Sequence, residues 1–462
     1  MTAVENYHGS DGDLASHRTS GYADLVVGAA VALVALMSGV EILMALGLGL
    51  FAYSLYWFID TTGKEVAIGA VVSMIATAQW IVGPYLAYYH DAVTYKYRMY
   101  VDEETYSLYI VPSLFLLVFA IRFFAPKISI FQIRNYIVNT SLLSSRNIYY
   151  IFAIGAITQL SVSSLPFSLR FFIFLFSQFA FIGAIYMMVL GMRFRWVCLI
   201  TAFLLQGMNS LDYSLFHIFL LWSALIASYI CAELRLNFTT KLAVLVLSVL
   251  LVAQLQAAKS EYRLRIIQDP GSAGIFSLMD AMVENSLFQN SAFSSTSTDY
   301  GQLNARLNQG WIISAAMNYV PSVREFENGE TIVRAFQESL LPRFLFEKRD
   351  IKVSDGFERY TGLKVSSDTS FGISVVGEAW VNFGYYGIIF MGFFGTFYGL
   401  ILKTIVIIAR RFPTVIFWIP LIFLQATKAE TESAIVLNHI VKSGALVAMF
   451  YVFAYKVLKW RI

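Results

Sequence analysis

From residue 25 to residue 59 the chain is apolar over 35 positions, interrupted only by a polar step at residues 38–41. A helix that crosses a bilayer uses about 20 apolar residues, so this run is too long for one helix. It predicts two short spans folded into a tight helical hairpin. Further apolar stretches lie near residues 66–88, 106–124, 148–164, 170–191, 195–210, 213–231, 239–257, 384–408, 413–427 and 436–456. Only 14% of the 462 residues are charged and 58% are hydrophobic, where soluble domains carry about 25% charge. The expected fold class is therefore all-α, a polytopic integral membrane protein with about twelve transmembrane helices and one large loop of short helices.

The order of these stretches divides the chain. Residues 1–22 carry Glu5, Asp11 and Asp13 among glycines and serines before any apolar run, which suits a disordered tail and not a signal peptide. Residues 23–258 hold about nine spans. Residues 259–383 form the long loop, with helical segments and a re-entry into the membrane, and residues 384–462 supply the last three spans. Orientation follows from Lys and Arg in the short connections. Alternate connections collect Arg18, Lys64, Lys127, Arg134, Arg146, Arg193, Arg195, Arg235, Lys241, Arg410, Arg411, Lys456, Lys459 and Arg461, fourteen in all; the opposite set holds only Lys96, Arg98, Arg170 and Lys428. Both termini are thus expected in the cytoplasm and the long loop on the far side.

Within that loop, apolar residues at mixed helical spacing predict helix over residues 271–288, a Ser/Thr-rich loop over 289–301, and helix again over 302–318 and 331–341. Pro342 ends the last of these, because a residue before proline is pushed out of the α region. The charged stretch 343–364, with six basic and four acidic residues, reads as a solvated loop.

Absent motifs narrow the chemistry. The one Asp-x-Asp, Asp11 to Asp13, lies in the tail, and the sequence has no Walker-type phosphate loop, nucleophile elbow or His-Glu-x-x-His zinc motif. No metal, cofactor or nucleic-acid partner is expected. Cys198 and Cys231 sit in apolar runs and offer neither a disulfide framework nor a zinc spacing. Glu41, Arg122, Asp212 and Lys403 all fall near predicted helix ends, whereas an ion-coupled transporter carries ionisable residues near the midplane.

Polar residues gather instead at three places on the far side. The first is Leu341-Pro342-Arg343-Phe344-Leu345 followed by Lys348. The second is Gly377-Glu378-Ala379-Trp380-Val381-Asn382-Phe383-Gly384-Tyr385-Tyr386-Gly387. The third is the connection with Lys428, Glu430 and Glu432, running into Asn438, His439 and Lys442. Glu432, His439 and Lys442 are seven and three residues apart, hence near one face of a helix. Each group also has a plain structural reading: close helix packing for the glycines, a surface ion pair with Glu347 for Arg343, and a satisfied interfacial histidine for His439.

With its twelve or so spans, one large loop before the last three, Pro-Arg-x-Leu with a following lysine, and Gly-Glu-x-x-x-Asn-Phe-Gly-x-x-Gly, the chain resembles the Wzy-type polymerases of O-antigen and exopolysaccharide repeat units. The resemblance covers the topology of the whole chain and reaches motif level from about residue 308 to 387. It departs from the Arg-x10-Gly loop motif of some members, since Ser354 stands where Arg343 would require glycine. The resemblance implies metal-independent glycosyltransfer at the periplasmic face of a bacterial inner membrane, joining repeat units carried on undecaprenyl pyrophosphate. A chain-length regulator and a flippase are the protein partners it implies. Pyrophosphate then calls for fixed cations: Arg343 and Lys348 first, with Arg306, Arg349 and Lys442 behind them. For the base that takes the acceptor's proton, Glu378 leads and His439 follows. Trp311 and Trp380 are candidates to stack on sugar, although an interfacial tryptophan also serves as an anchor. A ligase of the O-antigen type and a lipid-linked oligosaccharide flippase or transporter remain the alternatives.

Overall fold

The computed structural model describes residues 12–89, 97–140, 144–161, 167–213, 216–251, 280, 307–341, 353–364 and 371–460. Among the described residues the fold is helical, and the only β-type pairings are the isolated bridges of Glu65 with Thr62 and Ser129. Six helices there are long and apolar enough to cross a membrane: Ile42–Thr61, Ile68–Tyr89, Glu103–Phe124, Phe171–Val189, Ser374–Ala409 and Ser433–Lys456.

Helices α1 (Gly12–Met37) and α2 (Ile42–Thr61) form the hairpin expected from the interrupted apolar run. Gly39 turns the chain at φ +84°, a conformation that favours glycine, and the Glu41 carboxylate caps α2 by accepting the Met44 N–H at 3.2 Å. The two helices cross at paired glycines. A Cβ on Gly28 would stand 2.9 Å from the Gly49 carbonyl oxygen, and one on Gly49 2.6 Å from that of Gly28.

Helix α3 (Ile68–Tyr89) contains a π turn at Ala78–Val82. Such a turn takes carbonyls out of the regular ladder. Those of Gln79 and Trp80 accept from Gln309 N at 3.1 Å and Tyr106 Oη at 2.9 Å. Helix α4 (Glu103–Phe124) is capped by Asp102 and carries Glu103 and Glu104 in its first turn and Arg122 in its last, each sign at the helix end that favours it. The middle of the chain supplies α5 (Ile130–Thr140), α6 (Ser145–Ser161), α7 (Phe167–Ser177), α8 (Phe179–Val189), α9 (Arg195–Tyr213), α10 (Phe216–Leu234) and α11 (Phe238–Leu251). Every residue of α8 is buried. Its neighbour Gln178 meets its hydrogen-bonding needs inside the bundle through Trp222, Ser177 and the Phe174 carbonyl.

The expected helices at 271–288 and the serine tract lie outside the described residues, and the expected helix over 302–318 is described only from residue 307. Of the rest of the long loop, α12 (Gly310–Tyr319), α13 (Glu330–Leu340) and α14 (Val353–Thr361) lead into α15 (Ser374–Phe383). The end of the charged stretch, expected as loop, is helical in α14, because Phe357 and Tyr360 are one turn apart and both enter a second core with Trp311, Val320 and Val381. At Gly384, φ +56°, the chain turns sharply from α15 into α16 (Gly387–Ala409). A Cβ on Gly395 would lie 2.6 Å from the Leu117 carbonyl oxygen, and one on Gly399 2.5 Å from Phe124 Cβ. These contacts set α16 parallel to α4.

The stretch 413–427, expected as a span, is not a continuous helix. It takes a 3-10 turn at Pro413–Trp418 and one α turn at Ile419–Ile422. Pro413 and Pro420 each lie at the start of a turn, where a missing N–H is tolerated but a through-running helix is not. The stretch nevertheless runs antiparallel to the last helix, α17 (Ser433–Lys456). Thr414 Oγ1 meets Tyr451 Oη at 2.7 Å, and the Leu421 carbonyl meets His439 Nε2 at 2.8 Å, so the contacts climb α17 toward its start. The 18 residues of α17 between Ser433 and Tyr451 measure about 27 Å, close to a hydrocarbon thickness of about 30 Å. Irregular backbone at that depth is tolerated where protein buries it, and residues 413–424 are all buried.

The bundle has two chemically different ends. At one, the Tyr89 hydroxyl joins the Glu41 N–H and the Glu103 carboxylate, and α12 to α15 gather beyond it. At the other, Arg122 pairs with Asp24 at 2.6 Å, Arg195 with Glu233 at 2.9 Å, and Lys241 Nζ donates to the Ile59 carbonyl.

Candidate functional site

Three elements from distant parts of the sequence, the starts of α13 and α17 and the middle of α15, meet in one buried polar knot. Glu378 on α15 accepts the Ser433 N–H at 2.9 Å and its hydroxyl at 2.6 Å on Oε2, and the Thr331 hydroxyl at 2.8 Å on Oε1. Asn382, one turn along α15, donates to Thr331 Oγ1 at 2.7 Å and to the Glu378 carbonyl, and accepts the Gly329 N–H at 2.9 Å. Gly329 is left-handed at φ +92°, the conformation that lets its N–H precede α13 and reach Asn382. Glu378 is only 4% exposed. Three donors to one carboxylate offset part of the cost of that burial.

Glu432 adjoins this knot, in the connection immediately before α17. It accepts the Ile373 N–H at 3.1 Å, and its carboxylate lies where a Cβ on Gly356 would meet it at 3.4 Å. Burial pushes its carboxyl up to about 8, helped by the charge of Glu378. Two carboxyl groups whose environments differ, one pinned by three donors and one by a single N–H, therefore flank the start of α17. The nearby Glu327 is held below the usual carboxylate range: burial raises it, but Arg324 and Arg359 outweigh that effect. Both arginines bond Glu327 Oε1 at 2.9 Å and lie over the Tyr360 ring. The Glu327 N–H in turn donates to the Val381 carbonyl, tying this charge cluster to α15.

Of the residues expected to act, Glu378 is at the centre of the knot. His439 lies six residues beyond Ser433, about 9 Å along α17, fully buried and bonded to the Leu421 carbonyl. Its ring therefore supports the irregular 413–422 stretch. Lys442 faces α7, with Nζ 4.8 Å from the Phe171 ring centroid. Glu432, His439 and Lys442 thus meet three different partners. Trp311 is 1% exposed among Tyr97, Phe357 and Phe371. Trp380 donates to the Val320 carbonyl at 2.9 Å and packs on Tyr109, Phe326 and Tyr385. Both tryptophans are core residues in this conformation, with no ring face open to a sugar. Arg306, Arg343, Lys348 and Arg349 lie outside the described residues.

Sequence reasoning overlooked Thr331, Ser433 and the Arg324–Glu327–Arg359 cluster. Glu378 and Ser433 are 55 residues apart, and no periodicity within one helix reports such a contact. The signals that were available are Gly329-Glu330-Thr331, a glycine before a helix start, and Glu432-Ser433 before an apolar run. No family model, curated protein or solved structure matches the chain.

Proposed function

We propose that the protein is a metal-independent glycosyltransferase that polymerises undecaprenyl-pyrophosphate-linked oligosaccharide repeat units at the periplasmic face of a bacterial inner membrane. In this reading the chain crosses about twelve times, with both termini in the cytoplasm and α12 to α15 outside. The observation that carries the proposal is the pairing of Glu378 with Glu432 at the bundle end opposite the arginine-rich connections. A carboxyl held near 8 is matched to a general base working near neutral pH. Glu432 takes the acceptor hydroxyl's proton and Glu378 fixes the start of α17 beside it. Arg343 and Lys348 supply the cations for the leaving pyrophosphate.

The test is purified protein in liposomes given one lipid-linked repeat unit. A polymerase yields a ladder of chain lengths from that single substrate; a ligase needs a second acceptor, and a flippase leaves the substrate chemically unchanged. Arg343→Lys should abolish the ladder at normal protein abundance, because lysine cannot copy two-point hydrogen bonding to phosphate. Arg359→Ala should retain it, since Arg324 still pairs with Glu327 and a half-exposed ion pair is worth about 1 kcal/mol or less. A normal ladder from Arg343→Lys would remove the pyrophosphate site from this loop.

A further inference from the structure

A second polar site lies at the opposite end of the bundle, where the proposed chemistry makes no use of it. A cleft opens between α1, α2, the start of α3, the end of α4 and α16. Its lining is mixed: Trp57, Val66, Ala70 and Leu402 are apolar, and Asp24, Asp60, Lys64, Glu65, Arg122 and Lys127 are charged. An amphiphile suits such a mixed lining, with its polar group on the charged side chains and its chain on the apolar ones.

Arg122 gives the charged lining its chemistry. Its Nη2 pairs with Asp24, and its guanidinium lies 4.8 Å from the Trp57 ring and 5.3 Å from the Tyr53 ring. Its Nη1 is buried and has no hydrogen-bond partner among the described residues. A buried guanidinium nitrogen left without an acceptor is costly, and a planar guanidinium matches a phosphate oxyanion. The three acidic and three basic side chains on the wall cancel, which suits a single phosphodiester better than a polyanion. We propose that this cleft binds the phosphodiester of a membrane phospholipid, with an oxygen on Arg122 Nη1 and Lys127 at the mouth. Lodged between α2, α4 and α16, the lipid would brace the helices that carry the site at the far end.

The experiment is thermal unfolding of the purified full chain in a phosphate-free, non-ionic detergent. Titrants are short-chain phosphatidylglycerol, short-chain phosphatidylethanolamine, inorganic phosphate and an uncharged diacylglycerol of the same chain length. The expected result is a saturable rise of a few degrees with both phospholipids and none with diacylglycerol or inorganic phosphate. Lys127→Glu, an exposed change that leaves the fold intact, should weaken the apparent affinity about fivefold. The double variant Asp24→Asn with Arg122→Gln removes the guanidinium without stranding a buried charge and should abolish the shift. Equal protection by inorganic phosphate would overturn the lipid assignment, as would protection by diacylglycerol or a shift that survives both variants.

Discussion

Replacing Glu378 by alanine and, separately, by glutamine distinguishes what its burial costs from what its charge does. Alanine leaves the fixed Ser433 N–H without an acceptor, and the Ser433 and Thr331 hydroxyls lose theirs as well. Each buried donor left unsatisfied costs about 1–3 kcal/mol. The hydroxyls can rotate to other acceptors, so the backbone N–H counts in full and the hydroxyls in part. With the void left by the lost side chain, the total is about 3–5 kcal/mol. Glutamine keeps the shape. Its carbonyl oxygen can accept both Ser433 donors, and its amide then faces Thr331 Oγ1, which already accepts from Asn382. Only the Thr331 hydroxyl proton must turn away, at a cost of about 1 kcal/mol. The assay is thermal unfolding in detergent beside the ladder assay in liposomes. Alanine should lower the melting midpoint sharply and glutamine slightly. An alanine variant as stable as the parent, or a glutamine variant as unstable as alanine, would refute the hydrogen-bond account.

Other outcomes follow from the same geometry. Gly395→Leu should destabilise the bundle by about 1–3 kcal/mol or more, read as a lower melting midpoint, because the Leu117 carbonyl leaves no room for a Cβ between α4 and α16. Glu432 binds its proton more tightly in the folded chain than in the unfolded one, so its contribution to stability is fullest below about pH 4.5 and falls as pH rises toward about 8. Glu432→Gln should flatten that part of the melting-midpoint profile, and an unchanged slope would exclude this residue as its source. A cysteine placed at Glu325 should label with an impermeant thiol reagent from outside the inner membrane and one at Lys127 should not; the reverse pattern would invert the proposed orientation.

Hydropathy made the hairpin legible because a 35-residue apolar run with a polar step has few ways to satisfy its backbone in lipid. The end of α13 was legible for a local reason too, with Pro342 forbidding its continuation. The Glu378 knot was half legible: a carboxylate among close glycines marked the place, but its partners come from residues 47 and 55 positions away. Trp311 and Trp380 misled because an aromatic ring that stacks on a sugar and one that fills a core have the same residue name. Only the partners, Phe357 and Phe371 for one and the Val320 carbonyl for the other, decide between them.

The 413–427 stretch shows where hydropathy stops carrying information. A sliding count of apolar residues records that a segment prefers to avoid water, and it does so equally for a regular helix and for a broken chain wrapped in protein. What separates them is whether other groups can satisfy the carbonyls that a broken helix releases. Here Tyr186 Oη donates to the Thr414 carbonyl and His439 Nε2 to that of Leu421. Both donors lie on helices already packed against the stretch, so His439, a candidate base in the sequence, is committed to backbone support. His439 spends its Nε2–H on the Leu421 carbonyl deep inside the bundle, which leaves only Nδ1 to accept a proton. Glu432, partly buried in the connection before α17 and held by the Ile373 N–H, supports no irregular backbone of that kind, and the proposed function gives it the proton-accepting role on that ground.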